Sequence, residues 1–84
     1  MKFTYPALLR EDKESPGFTI ISFPDMIGIG SECENGKEEE TAKEVLELVM
    51  SAPHYRLTEP TDINILKEKF PNDRVILVEV EVED

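Results

Sequence analysis

The side chains with most capacity for chemistry in this 84-residue chain are three carboxylates, Asp12, Asp25 and Glu44, the only histidine, His54, and the only cysteine, Cys33. Metal-dependent cleavage of a phosphodiester needs several carboxylates converging on two divalent ions, usually from strand ends and a helix. Here Asp12 falls in a charged loop, Asp25 in a turn and Glu44 on the polar side of a helix, so convergence is not implied. His54 sits in a connector without a second histidine, a cysteine or a carboxylate pair beside it, and such a residue reads as a solvated side chain rather than a base or ligand. Cys33 has no second cysteine for a disulfide or a zinc pair, the usage of an intracellular chain. Gly28-Ile29-Gly30 is not a dinucleotide loop, because position 33, where a third glycine is needed, is Cys. The expectation is a protein that is not an enzyme, with no catalytic residue, no metal and no cofactor.

The elements around these residues read as a scaffold. Phe3 to Leu9 is short, apolar and β-prone, with Tyr5-Pro6 placing a proline where an edge strand or a strand's first residues tolerate the lost N–H. Arg10 to Gly17 is charged and ends in Pro16-Gly17, a turn signal that predicts a hairpin. Phe18 to Phe23 is apolar on both sides, with Phe18 and Ile20 pointing one way and Ile21 and Phe23 the other. Pro24-Asp25 breaks that strand. Gly28 and Gly30 then open a less regular third strand to about Glu34, where glycine supplies positive φ or close backbone approach.

Asn35 reads as a helix N-cap answered by Glu38, with Glu39 and Glu40 near the positive end of the dipole, so the main helix is expected from about Gly36 to Pro53. Ala42, Val45, Leu46 and Val49 form its apolar stripe, and Leu48 lies off it as a second contact or a singly exposed leucine. Thr61 or Asp62 caps a short helical stretch, Ile63 to Phe70, that Pro71 stops. In the last strand Ile76, Val78, Val80 and Val82 alternate with Glu79, Glu81 and Glu83, giving one apolar and one charged side.

The predicted fold is α+β, a single β-β-β-α-(α)-β domain over residues 1–84: a three-stranded antiparallel sheet plus a C-terminal strand, with one main helix packed on one face. A chain this short buries roughly 60 to 65% of its unfolded surface, so self-association as a dimer or tetramer would add to a marginal stability. One helix layer covers one sheet face. The uncovered face of the second strand is then a candidate partner surface.

Charge narrows the class of partner. Nineteen acidic against nine basic residues give a net charge of −10, which repels a phosphate backbone and speeds encounter with a basic protein, or simply keeps the domain soluble. Direct nucleic-acid binding is not expected. The N-terminus lacks a signal-peptide run and no window approaches the ~18 apolar residues of a membrane span, so a cytoplasmic, soluble protein without membrane contact is expected.

In the order Tyr5-Pro6-Ala7, Gly17-Phe18, Phe23-Pro24-Asp25-Met26, Gly28, then Ala42-Lys43-Glu44 with Leu46-Glu47-Leu48 and a late Val-Glu-Val strand, the chain resembles the HicB family of bacterial antitoxins, including its short stand-alone members. The likeness spans nearly the whole chain. Ile27 stands where a proline is usual, Asn35 where a capping threonine is usual, Gly36 where an apolar residue follows it and Glu39 where a small residue packs. Many members continue into a DNA-binding module, and none is expected here after the last strand. The resemblance implies a partial RNase H-like fold without a catalytic carboxylate cluster that neutralises a small basic mRNA interferase toxin, HicA-like, by covering it. Such proteins commonly form homodimers or homotetramers.

The leading expectation is therefore a protein-binding antitoxin, and the alternative is an oligomeric regulatory or scaffold domain of the same fold without a toxin. Candidate partner contacts are Ile21 and Phe23, or alternatively Phe18 and Ile20, with the Asp25-Met26 turn and the acidic Glu79 and Glu81 aiding approach.

Overall fold

A computed structural model of the chain describes residues 2–26, 28–52 and 59–82. The expectations for Ile27, Pro53, His54 and Glu83 lie outside the described residues. The elements are β1 (Lys2–Glu11), β2 (Phe18–Ser22), β3 (Gly30–Glu34), α1 (Glu38–Ser51), α2 (Ile63–Lys69) and β4 (Arg74–Glu81). The strands form one four-stranded antiparallel sheet in the order β3-β2-β1-β4, so the C-terminal strand completes the sheet beside β1.

Strand registers sort side chains between the two faces, because neighbours in a strand alternate. Tyr5 pairs with Val78, Ala7 with Ile76, Leu9 with Ile21 and Thr19 with Cys33, and all of these lie on one face. Ala42, Leu46 and Val49 of α1 close over that face to form the main core with Tyr5, Ala7, Leu9, Ile21, Phe23, Met26, Cys33, Val78 and Val80. The predicted helical stripe and the predicted inner face of β4 thus meet. Leu48 stays off the stripe and is exposed.

β1 departs from its predicted place. It is an interior strand, with Pro6 buried at its middle rather than on an outer edge. The ladder with β2 spans only Leu8 to Glu11, so at Pro6 only β4 runs alongside, and a missing N–H is tolerated where one flank has no ladder.

The opposite face is not bare. Pro6 and Leu8 point away from the main core yet are buried, and α2, which packs against β4 and buries Leu66, covers that part of the sheet. Asp62 caps α2 as expected, its side chain accepting from Asn64 N at 2.8 Å. The cap of α1 differs from expectation. Lys37 is the N-cap residue and makes no side-chain cap bond, while Asn35 Oδ1 accepts from Thr19 Oγ1 at 2.6 Å and the Glu38 carboxylate accepts from Gly36 N at 2.6 Å. Glu38 still satisfies a backbone donor ahead of the helix, one step away from the predicted pairing.

The two glycines before β3 divide the two uses expected of them. Gly28 adopts φ of +81°, a left-handed turn that L side chains rarely enter, whereas a Cβ on Gly30 would lie 2.7 Å from the Ile21 carbonyl oxygen. That oxygen is backbone in the middle of the sheet and cannot swing aside. Gly30→Ala is expected to lose roughly 1–2 kcal/mol of stability by forcing β2 and β3 apart, read as a lower urea midpoint with unchanged slope. A midpoint equal to that of the parent protein would contradict the close approach.

Candidate functional site

Phe23-Pro24-Asp25-Met26, the segment expected to meet a partner, forms a tight connection between β2 and β3. Met26 N donates to the Phe23 carbonyl at 3.0 Å, Ile29 N to the Met26 carbonyl at 3.1 Å and Phe23 N to the Ile29 carbonyl at 3.3 Å. Phe23 and Met26 are each 2% exposed, and Ile21 is 1% exposed, all within the main core. These three expected contact residues are unavailable to a partner in this conformation, because α1 packs on the face of β2 that carries Ile21 and Phe23. Asp25 is also engaged: one carboxylate oxygen accepts from Thr61 N at 3.0 Å and the other from the Thr61 hydroxyl. It ties the β2–β3 connection to the segment entering α2.

The alternative pair is the accessible one. Phe18 and Ile20 are 38% and 39% exposed on the face opposite α1, beyond the part that α2 covers. Across the ladder Phe18 faces Glu34, and Ile20 faces Glu32 on one side and Arg10 on the other. Glu79 and Glu81 lie exposed on this same face of β4, opposite Thr4 and Lys2 of β1. Lys2 Nζ approaches Glu79 at 3.6 Å, a surface pair of little energetic weight. The expected acidic ladder therefore shares a sheet face with the apolar pair, at the far edge from it.

Arg10 and Asp73 make the best-defined ion pair, with Nε to Oδ1 at 3.1 Å and Nη2 to Oδ2 at 2.8 Å, a two-point fork. It fastens the turn before β4 to β1. The pair was not legible beforehand, since its residues are 63 positions apart. The Arg10 hydrogen bonds hold the Asp73 carboxyl below the ordinary carboxylate range, and Asp73 raises Arg10 in turn. A carboxyl whose folded pKa is depressed adds stability above its unfolded pKa and loses that contribution as pH falls through the folded one. Asp73→Asn is accordingly expected to be less stable than the parent at neutral pH, with the two urea-midpoint curves converging from about pH 5 downward. Parallel curves would show that the fork contributes nothing in solution.

A second carboxyl contact flanks the apolar pair. Asp12 is lowered and Glu32 raised, each chiefly by a side-chain hydrogen bond to the other. Asp12 also organises its own loop, accepting from Glu14 N at 2.9 Å and Ser15 N at 3.3 Å.

The residues capable of hydrolytic chemistry are not brought together. Asp12 lies in the β1–β2 loop, Asp25 in the β2–β3 connection and Glu44 on the exposed side of α1, and no group of three or more His, Cys, Asp or Glu side chains among the described residues is placed to hold a metal ion. Cys33 is buried in the core. No described helix is long and apolar enough to cross a membrane. Compared with protein-family models, with curated proteins and with solved structures, the chain gives no match.

Proposed function

We propose that this domain acts by binding another protein, as an antitoxin of the HicB kind that occludes a small basic mRNA-cleaving partner. The observation that carries this reading is the partly exposed Phe18–Ile20 pair on the sheet face opposite α1, with Glu34 and Glu32 directly across the ladder from it. Apolar side chains set among carboxylates suit a partner that offers apolar anchors among lysines and arginines, and a net charge of −10 draws such a partner in from a distance. The order of the Tyr5-Pro6-Ala7, Phe23-Pro24-Asp25 and Ala42-Lys43-Glu44 segments supports the antitoxin assignment in particular. Affinity capture from the native host at low salt, followed by mass spectrometry, tests it. Recovery of a small basic protein whose expression arrests growth, with relief on co-expression of this chain, is the expected result; recovery of no basic protein overturns it.

A scaffold reading has one observation of its own. β4 pairs only with β1 among the described residues, leaving its outer edge beside a groove of about 240 Å³ that carries Glu39 and Lys43 of α1, an acid and a base that two copies would pair reciprocally. Light scattering on the purified protein separates the readings. A dimer lost on Leu77→Lys, with no basic partner captured, would favour the scaffold.

A further inference from the structure

Ile20 sits at the border of a pocket. On the face opposite α1, Leu8, Ile20, Pro24 and Phe70 wall a concavity of about 330 Å³, and the Arg10–Asp73 fork lies along its rim. Phe70 is the residue that ends α2, so the pocket lies between the sheet and the second helix. Phe18 is two positions from Ile20 on the same strand and therefore on the same face. The result is one continuous apolar strip from Phe18 through Ile20 into the pocket.

Charge around the strip is one-sided. Glu32 and Glu34 of β3 stand along one flank without a salt-bridge partner among the described residues, and Asp12 leans on Glu32. Arg10, the cation across the ladder from Ile20, is already forked onto Asp73. A second copy laid face to face on this strip would bring its own Glu32 and Glu34 and another −10 of charge. Nucleic acid and an anionic membrane surface are disfavoured by the same sign of charge. A basic protein meets both the apolar strip and the unneutralised flank.

Building on the protein-binding reading above, we propose that the docking surface is the Phe18–Ile20 strip, with an apolar side chain of the basic partner seated between Ile20 and Phe70 and its cationic side chains over Glu32 and Glu34. Buried apolar anchors carry most of the energy of such an interface, while rim charges set the rate of approach. The strip, rather than the buried Ile21, Phe23 and Met26, then discriminates the partner.

Site-specific photocrosslinking in the native host tests the surface. The photoreactive residue p-benzoylphenylalanine is placed singly at position 18, at position 48 on the outer side of α1, and at position 77 on β4, all exposed sites that tolerate a bulky ring. The expected outcome is an adduct at position 18, identified by mass spectrometry as a basic protein, and none at 48. With that protein purified, Ile20→Asp is expected to weaken binding by more than tenfold and Leu48→Asp by less than twofold, while Glu32→Gln with Glu34→Gln slows association several-fold and flattens its salt dependence. A basic protein crosslinked at 48 or 77 but not at 18 overturns the surface and leaves the protein-binding reading standing. An adduct at 18 with a second copy of this chain, or with an acidic protein, overturns the proposal. Absence of any adduct, together with no basic protein in the affinity capture, overturns both.

Discussion

Replacing Ile21 with alanine is expected to cost about 3 kcal/mol, whereas the same change at Ile20, its neighbour in the chain, is expected to cost less than about 1 kcal/mol. Ile21 is 1% exposed beneath α1 and Ile20 39% exposed on the other face, so truncation leaves a cavity at one site and open solvent at the other. A chain of this length has roughly 4–13 kcal/mol of total stability, and each kcal/mol moves the melting temperature by roughly 4–8 °C. Ile21→Ala should therefore melt more than about 10 °C below the parent, with Ile20→Ala within a few degrees of it. Urea titration followed by circular dichroism gives both numbers. A larger loss at Ile20 than at Ile21 would mean that α1 lies on the Ile20 face, and the assignment of core and docking surface would exchange; equal losses would mean that the Ile20 face is covered too and offers no docking surface.

That pair of isoleucines also marks where the sequence stops being informative. Alternation along Phe18 to Phe23 established that the strand has two apolar sides, and periodicity established that α1 has one. Neither says which side of the strand meets the helix, because both sides are equally apolar. The decision comes from residues far away in sequence: Tyr5, Ala7, Val78 and Val80 enlarge the side that Ile21 shares, and α1 takes the larger apolar area. On the other side α2, only seven residues long, hides Pro6 and Leu8 and stops short of Ile20. The strands, both helices and the cap of α2 were legible because their signals are local. The position of β1 inside the sheet, the Arg10–Asp73 fork and the Asp12–Glu32 contact join distant positions, and no local pattern marks them.

The Phe23-Pro24-Asp25-Met26 segment teaches a related lesson. It carries part of the resemblance to antitoxins and was expected to touch a partner, yet Phe23 and Met26 fill the core, Gly28 provides the left-handed turn and Asp25 holds another segment in place. Each of these residues has a folding role sufficient to require its type. Such a segment supports a shared scaffold more strongly than a shared binding surface, since function on a scaffold resides in the side chains the fold leaves exposed. On this chain those include Phe18, Ile20 and the carboxylates beside them, together with Leu48 of α1 and Leu77 of β4.

Asp25→Ala is expected to release the segment that leads into α2, at a cost of about 2–3 kcal/mol. The Asp25 carboxylate accepts from both the backbone N–H and the hydroxyl of Thr61, 36 positions away, and hydrogen bonds to a charged acceptor are worth roughly 1.5–3 kcal/mol each before solvent screening of a half-buried site is allowed for. Thr61 lies just ahead of the Asp62 cap, so the link fixes where α2 begins as well as where it rests. A helix of seven residues has no stability of its own and holds only while docked. Losing the link should therefore raise amide exchange across Ile63–Lys69 by tenfold or more, while the amides of Ile21 and Leu46 stay protected until global unfolding. Thr61→Val, which removes the hydroxyl but keeps the backbone donor, should give an intermediate exchange rate. Because Phe70 at the end of α2 walls the pocket beside Ile20, loosening that helix should also weaken partner binding with no change at Ile20 itself. Uniform exchange across the sheet and α2 in Asp25→Ala would instead make Asp25 part of one cooperative unit, with no separate docking of the second helix.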